Sequence, residues 1–249
     1  MSNNNKYIHN PLEGDAPELV FDLQKTVGDL VSIIIVHRNS PEYLNILLQS
    51  IEVCSRTNSY EIIVVDNASE IESQNFLTEI QPHVKVLRNN ENLFWSEAAN
   101  QGSRLVDPRS KYLFFMHSDV VILNPGWIDI MINVMKSNDT HMLGVETSNY
   151  VIGNQRLDFI CEWLVAFTKA GFERVDLWPR TLPLIGSAFL MTALAQGNAL
   201  NPQAMKNIVA HHYKIFNVAI NDFERQTENA SRIIPQLYQQ VQATLLNTI

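Results

Sequence analysis

The sequence predicts an α/β fold: a mostly parallel sheet flanked by helices, with a helical C-terminal region. Two observations carry this. Short apolar, β-branched runs recur between Val31 and Met116, and each is followed by a segment with apolar residues at helical spacing. Strands that read as continuous apolar runs are buried on both faces, as they are when helices cover both sides of a parallel sheet. A third observation places a site. Polar clusters stand directly after three of the strands, where open parallel sheets bind ligands.

Residues 1–30 are polar, show no clear period and read as an N-terminal extension. The run "LVSIIIV" (Leu30 to Val36) predicts the first strand and ends in polar "HRNS". Pro41 then opens a helix in which Leu44, Leu47, Leu48 and Ile51 fall on one face. "YEIIVVDNAS" repeats the plan with a strand, Asp66-Asn67-Ala68-Ser69 and the helical "ESQNFLTEI". "VKVL" and "WSEAANQGSRLV" predict a third strand and helix, and "YLFFM" a fourth strand. After His117-Ser118-Asp119, "GWIDIMINVM" reads as a helix. Beyond Leu143 the alternation fades. "CEWLVAF" and "LPLIGSAFLMT" look like further core segments, and "SNYVIGNQRLD" like a loop near the site. Residues 201–249 read as a helical region carrying Ile234, Leu237, Tyr238, Val241 and Leu245 on one stripe despite Pro235.

Composition narrows the function. A chain of 249 residues that is 46% hydrophobic and 18% charged is that of a folded globular protein. Its net charge of −8 argues against a nucleic-acid surface, which needs clustered Lys and Arg. Cys54 and Cys161 fit no zinc or redox spacing and read as small core residues. The start has no apolar signal core, and no run approaches the ~18 residues of a membrane span. The expected location is cytoplasmic, with peripheral membrane contact left open. Without a secretion signal, the N-x-S/T triplets at Asn67, Asn138 and Asn229 read as chance.

The usual phosphate-cradling loops are missing. With only nine glycines there is no G-x-G-x-x-G after the first strand and no G-x-x-x-x-G-K-[ST]. A protein that binds a diphosphate without such a loop needs another counter-charge, and a divalent cation held by carboxylates supplies one.

The stretches "VSIIIVHRNSPEYLNILLQSI", "YEIIVVDNAS", "NNENLFWSEAANQG" and "YLFFMHSDVVILNPGWID" together resemble the family-two glycosyltransferases of the GT-A fold. The likeness covers roughly Val31 to Val134, with "LIGSAFLM" as a weaker later echo. It implies a nucleotide-sugar-binding and catalytic domain over residues 31–200. It also implies transfer of a sugar from a UDP-, dTDP- or GDP-linked donor to an acceptor hydroxyl, with inversion. The acceptor would be a glycan or glycolipid, as in polysaccharide assembly. By the same likeness His37, Arg38, Asn39 and Asp66 hold the nucleotide, Asn100 and Ser118 face the donor, and Asp119 holds Mn2+ or Mg2+. His117 stands where the family carries its first metal-motif Asp; an imidazole there suits Mn2+ better than Mg2+.

Two departures matter. Leu93-Phe94 replaces a glycine-containing pair common in such relatives. The acidic pair that supplies their general base is also missing: between Gly186 and Asp222 there is no acid at all. His211 and His212 fall in that window, and histidine has the intrinsic basicity for the role. Asp222, Glu224 and Glu162 are the further candidates, while the plain reading of the His pair is a helix surface. Trp95 and Trp127 read as core aromatics before sugar-stacking ones. The missing base leaves a catalytically degenerate nucleotide-binding or protein-interaction module as the main rival. A nucleotidyltransferase fits poorly, since "HRNSPEY" lacks the glycine-rich basic loop. The apolar C-terminal stripe suits packing on the domain or a homodimer.

Overall fold

In the computed structural model the described residues are 29–55, 58–152, 154–182, 186–206 and 209–214, with a few helical positions between 228 and 236. Most of the expected N-terminal extension and helical C-terminal region therefore lies outside them, as do Asp222 and Glu224.

The first half follows the predicted alternation. Strand β1 (Val31–His37) leads into helix α1 (Pro41–Cys54), which starts with proline at its first turn. Then come β2 (Tyr60–Asn67), α2 (Ile71–Ile80), β3 (Lys85–Asn89), α3 (Phe94–Ser103) and β4 (Tyr112–His117). A short β5 (Val120–Ile122) precedes α4 (Trp127–Ser137), whose start is set by Gly126 at φ 75°. That left-handed conformation is one glycine adopts without steric cost.

The second half departs from simple alternation. It comprises β6 (Met142–Gly144), β7 (Thr147–Ile152), β8 (Gln155–Ile160), β9 (Leu164–Thr168) and α5 (Lys169–Val175). Then follow α6 (Ser187–Gly197), β10 (Gln203–Ala204) and β11 (Ala210–His212). The seven-stranded sheet has the order β10-β6-β9-β4-β1-β2-β3. β1 pairs in parallel with β2 and β4, and β9 runs antiparallel between β4 and β6. The segment expected as a loop, "SNYVIGNQRLD", is instead the antiparallel β7–β8 hairpin. β10 and β11 both lie past residue 200 and pair with β6 and β5.

Period-two alternation divides the core into two layers. Ile33 and Ile35 pack with Leu44, Leu47, Phe76, Trp127 and Met131 of α1, α2 and α4. Ile34, Ile63 and Val65 face the other way, toward Ala98 and Ala99 of α3 and Phe172 of α5. The α3 layer sits very close to the sheet. A Cβ added at Gly102 would lie 2.4 Å from the Ile34 side chain, so only glycine permits this approach. Trp127 is fully buried with its indole donating to Ser55 Oγ at 2.7 Å, and Trp95 is 4% exposed, so both are core residues.

Candidate active site at the carboxyl ends of β1, β2 and β4

Parallel pairing in register aligns the three polar clusters. His37 at the end of β1 lies opposite Asp66 of β2, and Val36 lies opposite His117 of β4. The clusters thus share one edge of the sheet, where ligands of such folds bind.

On the β1–β2 side the predicted nucleotide residues are knitted together. His37 is fully buried and shares a 2.6 Å hydrogen bond with Ser73 Oγ. Burial pushes its imidazole down to about 3, so it is neutral at ordinary pH. The Asn39 amide N–H donates to Ser69 Oγ at 2.8 Å, and Asn39 Oδ1 accepts from the Glu70 N–H at 2.8 Å. Asp66 is 1% exposed and accepts the Ser69 N–H through Oδ1 at 3.0 Å. Asn39, Asp66 and Ser69 therefore tie the end of β1 to the start of α2. Arg38 is part-exposed at the same rim.

Asn67, beside Asp66, has an organising role that its sequence context did not single out. Its Nδ2 donates to Asn92 Oδ1 at 2.7 Å and to the Phe94 carbonyl at 3.1 Å, while its Oδ1 accepts the Leu93 N–H at 2.8 Å. These bonds hold Phe94 at φ 60°, a conformation costly for a side chain of this size. The replaced glycine has gone, but the glycine-like backbone is kept. Asn100, expected to face the donor, is braced against the backbone of Trp178. It is fully buried and spends both ends of its amide on Trp178, with Nδ2 donating to the carbonyl at 3.0 Å and Oδ1 accepting the N–H at 2.7 Å.

The β4 side gathers three potential metal ligands. His117, Asp119 and His212 each present a donor atom, and these atoms all lie within 4.8 Å of one another. His212 Nε2 is 3.2 Å and His117 Nδ1 is 3.9 Å from Asp119 Oδ1. Half-buried Ser118 lies between the first two ligands in the chain. The arrangement is built on backbone. β11 pairs with β5 so that His212 lies opposite Val120, and the Tyr213 N–H donates to the Asp119 carbonyl at 2.9 Å. The His117 N–H donates to the Trp163 carbonyl at 3.1 Å. Aromatic rings enclose the cluster: Trp95 meets His117 edge-on at 4.6 Å, and Trp163 stacks on His212 at 5.1 Å and 14°. The Trp163 indole N–H is held by Glu146. Burial pushes His117 down to about 4 although Asp119 opposes the shift, so this nitrogen is free to coordinate at neutral pH.

The two histidines of the pair are thus separated by strand alternation. His212 points into the cluster, whereas His211 is exposed and meets Tyr213 edge-on at 5.2 Å. Next to Trp163, part-buried Glu162 is raised to about 7 by burial, against the lowering influence of His212. Cys161 is pushed up to about 12 by burial, so it is an inert thiol.

The model of the family described as "Glycosyl transferase family 2" matches residues 32–177, which includes the ends of all three strands. The chain belongs to glycosyl transferase family 2. No curated protein matches this family member's sequence. Solved structures share its fold. Residues 1–349 of S. aureus TarS in complex with UDP are 17% identical, with a TM-score of 0.57 over 80% of this chain and 63% of that one. The UDP-GlcNAc complex of the same fragment is 17% identical, with a TM-score of 0.56 over 79% and 64%. The mannosyltransferase PcManGT from Pyrobaculum calidifontis, in complex with GDP-Man and Mn2+, is 14% identical, with a TM-score of 0.57 over 74% and 56%. This family 2 chain therefore has the GT-A arrangement and spans less than two thirds of the length of each of these three. Among its described residues no helix is long and apolar enough to cross a membrane.

Proposed function

We propose that this chain transfers a sugar from a nucleoside-diphosphate donor to a hydroxyl of a glycan or glycolipid acceptor, with inversion and with the help of a divalent cation. The observation that carries the proposal is the His117–Asp119–His212 cluster at the end of β4, in a chain of glycosyl transferase family 2. The donor set fits a divalent ion. Two imidazole nitrogens and one carboxylate oxygen are already gathered, and each stands on hydrogen-bonded backbone, His117 bonded to Trp163 and Asp119 to Tyr213 beside His212.

His117, Asp119 and His212 would hold the cation, which supplies Lewis-acid stabilisation of the charge on a departing diphosphate. Arg38 and the rim formed by Asn39 and Asp66 would take the nucleotide. Trp95 and Trp163 wall the cluster against water and so raise the strength of charge interactions inside it. Glu162 is the base we assign. A carboxylate titrating near neutrality accepts a proton from the acceptor hydroxyl with little loss of driving force. The deprotonated oxygen attacks the anomeric carbon from the face opposite the diphosphate, and that single displacement inverts the centre.

Calorimetric titration with UDP, dTDP and GDP, with and without Mn2+, tests the reading. Cation-dependent binding to the wild type that is lost in Asp119→Asn supports it, and binding of no nucleotide under either condition removes it. A non-catalytic nucleotide-binding role is the second reading. It is favoured by the start of α6 at Ser187, which carries no acidic residue in its first turn. Nucleotide binding without any sugar transfer or donor hydrolysis would select it.

A further inference from the structure

The β7–β8 hairpin carries an aromatic face that the chemistry above does not use. In its register Ser148 lies opposite Phe159 and Tyr150 opposite Leu157, so these four share one face. Asn149, Val151, Arg156 and Asp158 share the other, which is solvated: Val151 is 70% exposed, and Arg156 pairs with Asp158 at 2.7 Å. On the first face the rings of Tyr150 and Phe159 stack at 5.0 Å and 21°, and both meet Phe189 of α6 edge-on. Leu182, Phe189 and Leu190 behind them are buried, whereas Tyr150, Leu157 and Phe159 stay part-buried. A braced tyrosine left partly open offers a flat apolar body and a polar tip.

The hairpin springs from the wall of the candidate site. β7 starts directly after Glu146, and β8 ends directly before Cys161 and Glu162. The Cys161 N–H donates to the Glu146 carbonyl at 3.0 Å and closes the hairpin's base. Burial first, and then the charge of Glu162, raise the Tyr150 hydroxyl, so this ring and the carboxyl assigned as base are neighbours. The base of the hairpin is acidic. Besides burial, the charges of Glu146 and Glu162 both act on Cys161, opposed by the exposed Lys214. Two carboxylates disfavour a ligand that brings negative charge of its own.

We infer that Tyr150, stacked on Phe159, is the platform on which the acceptor lays a neutral pyranose ring, with one hydroxyl toward Glu162. A pyranose matches the place: a face of C–H bonds lies on the tyrosine, a rim of hydroxyls meets the carboxylates, and no charge opposes them. The inference deepens the proposed function, since calling this ring the acceptor rests on that reading. The binding itself needs neither nucleotide nor cation.

The test uses the full chain with no nucleotide or cation added, and saturation-transfer NMR. The probes are methyl β-glucoside, methyl β-galactoside, methyl α-mannoside and methyl β-glucuronide. At least one neutral glycoside should bind, and the glucuronide about tenfold more weakly than it. For a bound β-glucoside, irradiation of the aromatic resonances should transfer most strongly to H1, H3 and H5, the C–H face. Tyr150→Phe, which keeps the ring, should bind within about threefold of the wild type. Tyr150→Leu, which keeps apolar bulk without the flat ring, should lose about tenfold. Val151→Ser, on the solvated face, should change nothing. Circular dichroism and thermal unfolding check the fold of each variant.

No binding of any neutral glycoside would overturn the inference. So would a glucuronide bound as tightly as the neutral sugars, or undiminished binding by a folded Tyr150→Leu. The two readings fail separately. Glycoside binding that depends on Tyr150, in a protein that takes no nucleotide, keeps the sugar platform and removes the transferase reading. Cation-dependent nucleotide binding without any glycoside bound does the reverse.

Discussion

Replacing Asn100 with alanine separates a donor-facing residue from a buried brace. The side chain is fully buried in α3, and its amide satisfies both the N–H and the carbonyl of Trp178, which is itself 1% exposed. Alanine leaves two buried backbone groups without partners at about 1–3 kcal/mol each, or about 2–6 kcal/mol together. Alanine's better helix propensity returns roughly 0.5 kcal/mol. A net loss near 3 kcal/mol follows, which lowers the midpoint of thermal unfolding by roughly 6–12 °C in a chain of this size. Urea unfolding followed by tryptophan fluorescence measures the loss, and an unchanged slope shows that the denatured state is not responsible. Nucleotide affinity, measured where the variant is fully folded, should stay at the wild-type value. Destabilisation below about 1 kcal/mol together with weaker nucleotide binding would refute this reasoning and return Asn100 to the donor site.

Phe94 gives an inverted glycine–alanine comparison. Because its φ is 60°, Phe94→Gly should be more stable than Phe94→Ala by about 0.5–1 kcal/mol in urea unfolding, opposite to the usual helix order. His37 predicts a pH slope. Its folded pKa of about 3 lies below the ordinary value, so the unfolded chain binds the extra proton as pH falls below about 6.5. The stability it contributes is present above that pH and is lost on acidification at about 1.4 kcal/mol per unit, some 2 kcal/mol by pH 5. His37→Gln should remove its share of the slope, leaving that of His117, as read from urea melts at pH 7, 6 and 5. For Glu162, the transfer rate should fall on acidification through an apparent pKa near or below 7, because a bound cation lowers the value. Glu162→Gln should lose about 100-fold or more in kcat while retaining cation and nucleotide affinity, a split read by steady-state kinetics and calorimetry.

The legible part of the sequence was the part with local pattern. β1, β2 and β4 are continuous apolar runs, α1 and α4 have well-spaced apolar stripes, and their order alone implied a parallel sheet with its site at the carboxyl ends. His117 and Asp119 were visible because they interrupt such a run. What stayed hidden depends on contacts between distant segments. β11 is three residues long, too short to show a period, so the pair His211-His212 gave no hint that one ring turns inward and the other to solvent. The first half of α6, Ser187 to Thr192, is buried all round and reads equally well as a strand. Asn100 looked like a polar residue available to a ligand, since a side chain's use on a distant backbone leaves no trace in the neighbouring letters. Trp163 and Glu146 were silent for the same reason: their role exists only once the fold has brought Glu146 to the indole N–H of Trp163 and its ring onto His212.

The pairing of β5 with β11 also sets a clock. Asp119 emerges in synthesis with residues 120–211 still to follow before His212 appears. At about 5–20 residues per second that interval is on the order of ten seconds. Throughout it the nascent chain can hold β1 to β4 and two of the three donors, but never the third. The three side chains therefore come together late in synthesis, and a chain broken off before residue 210 would bury much of the same core while lacking one wall of their cluster.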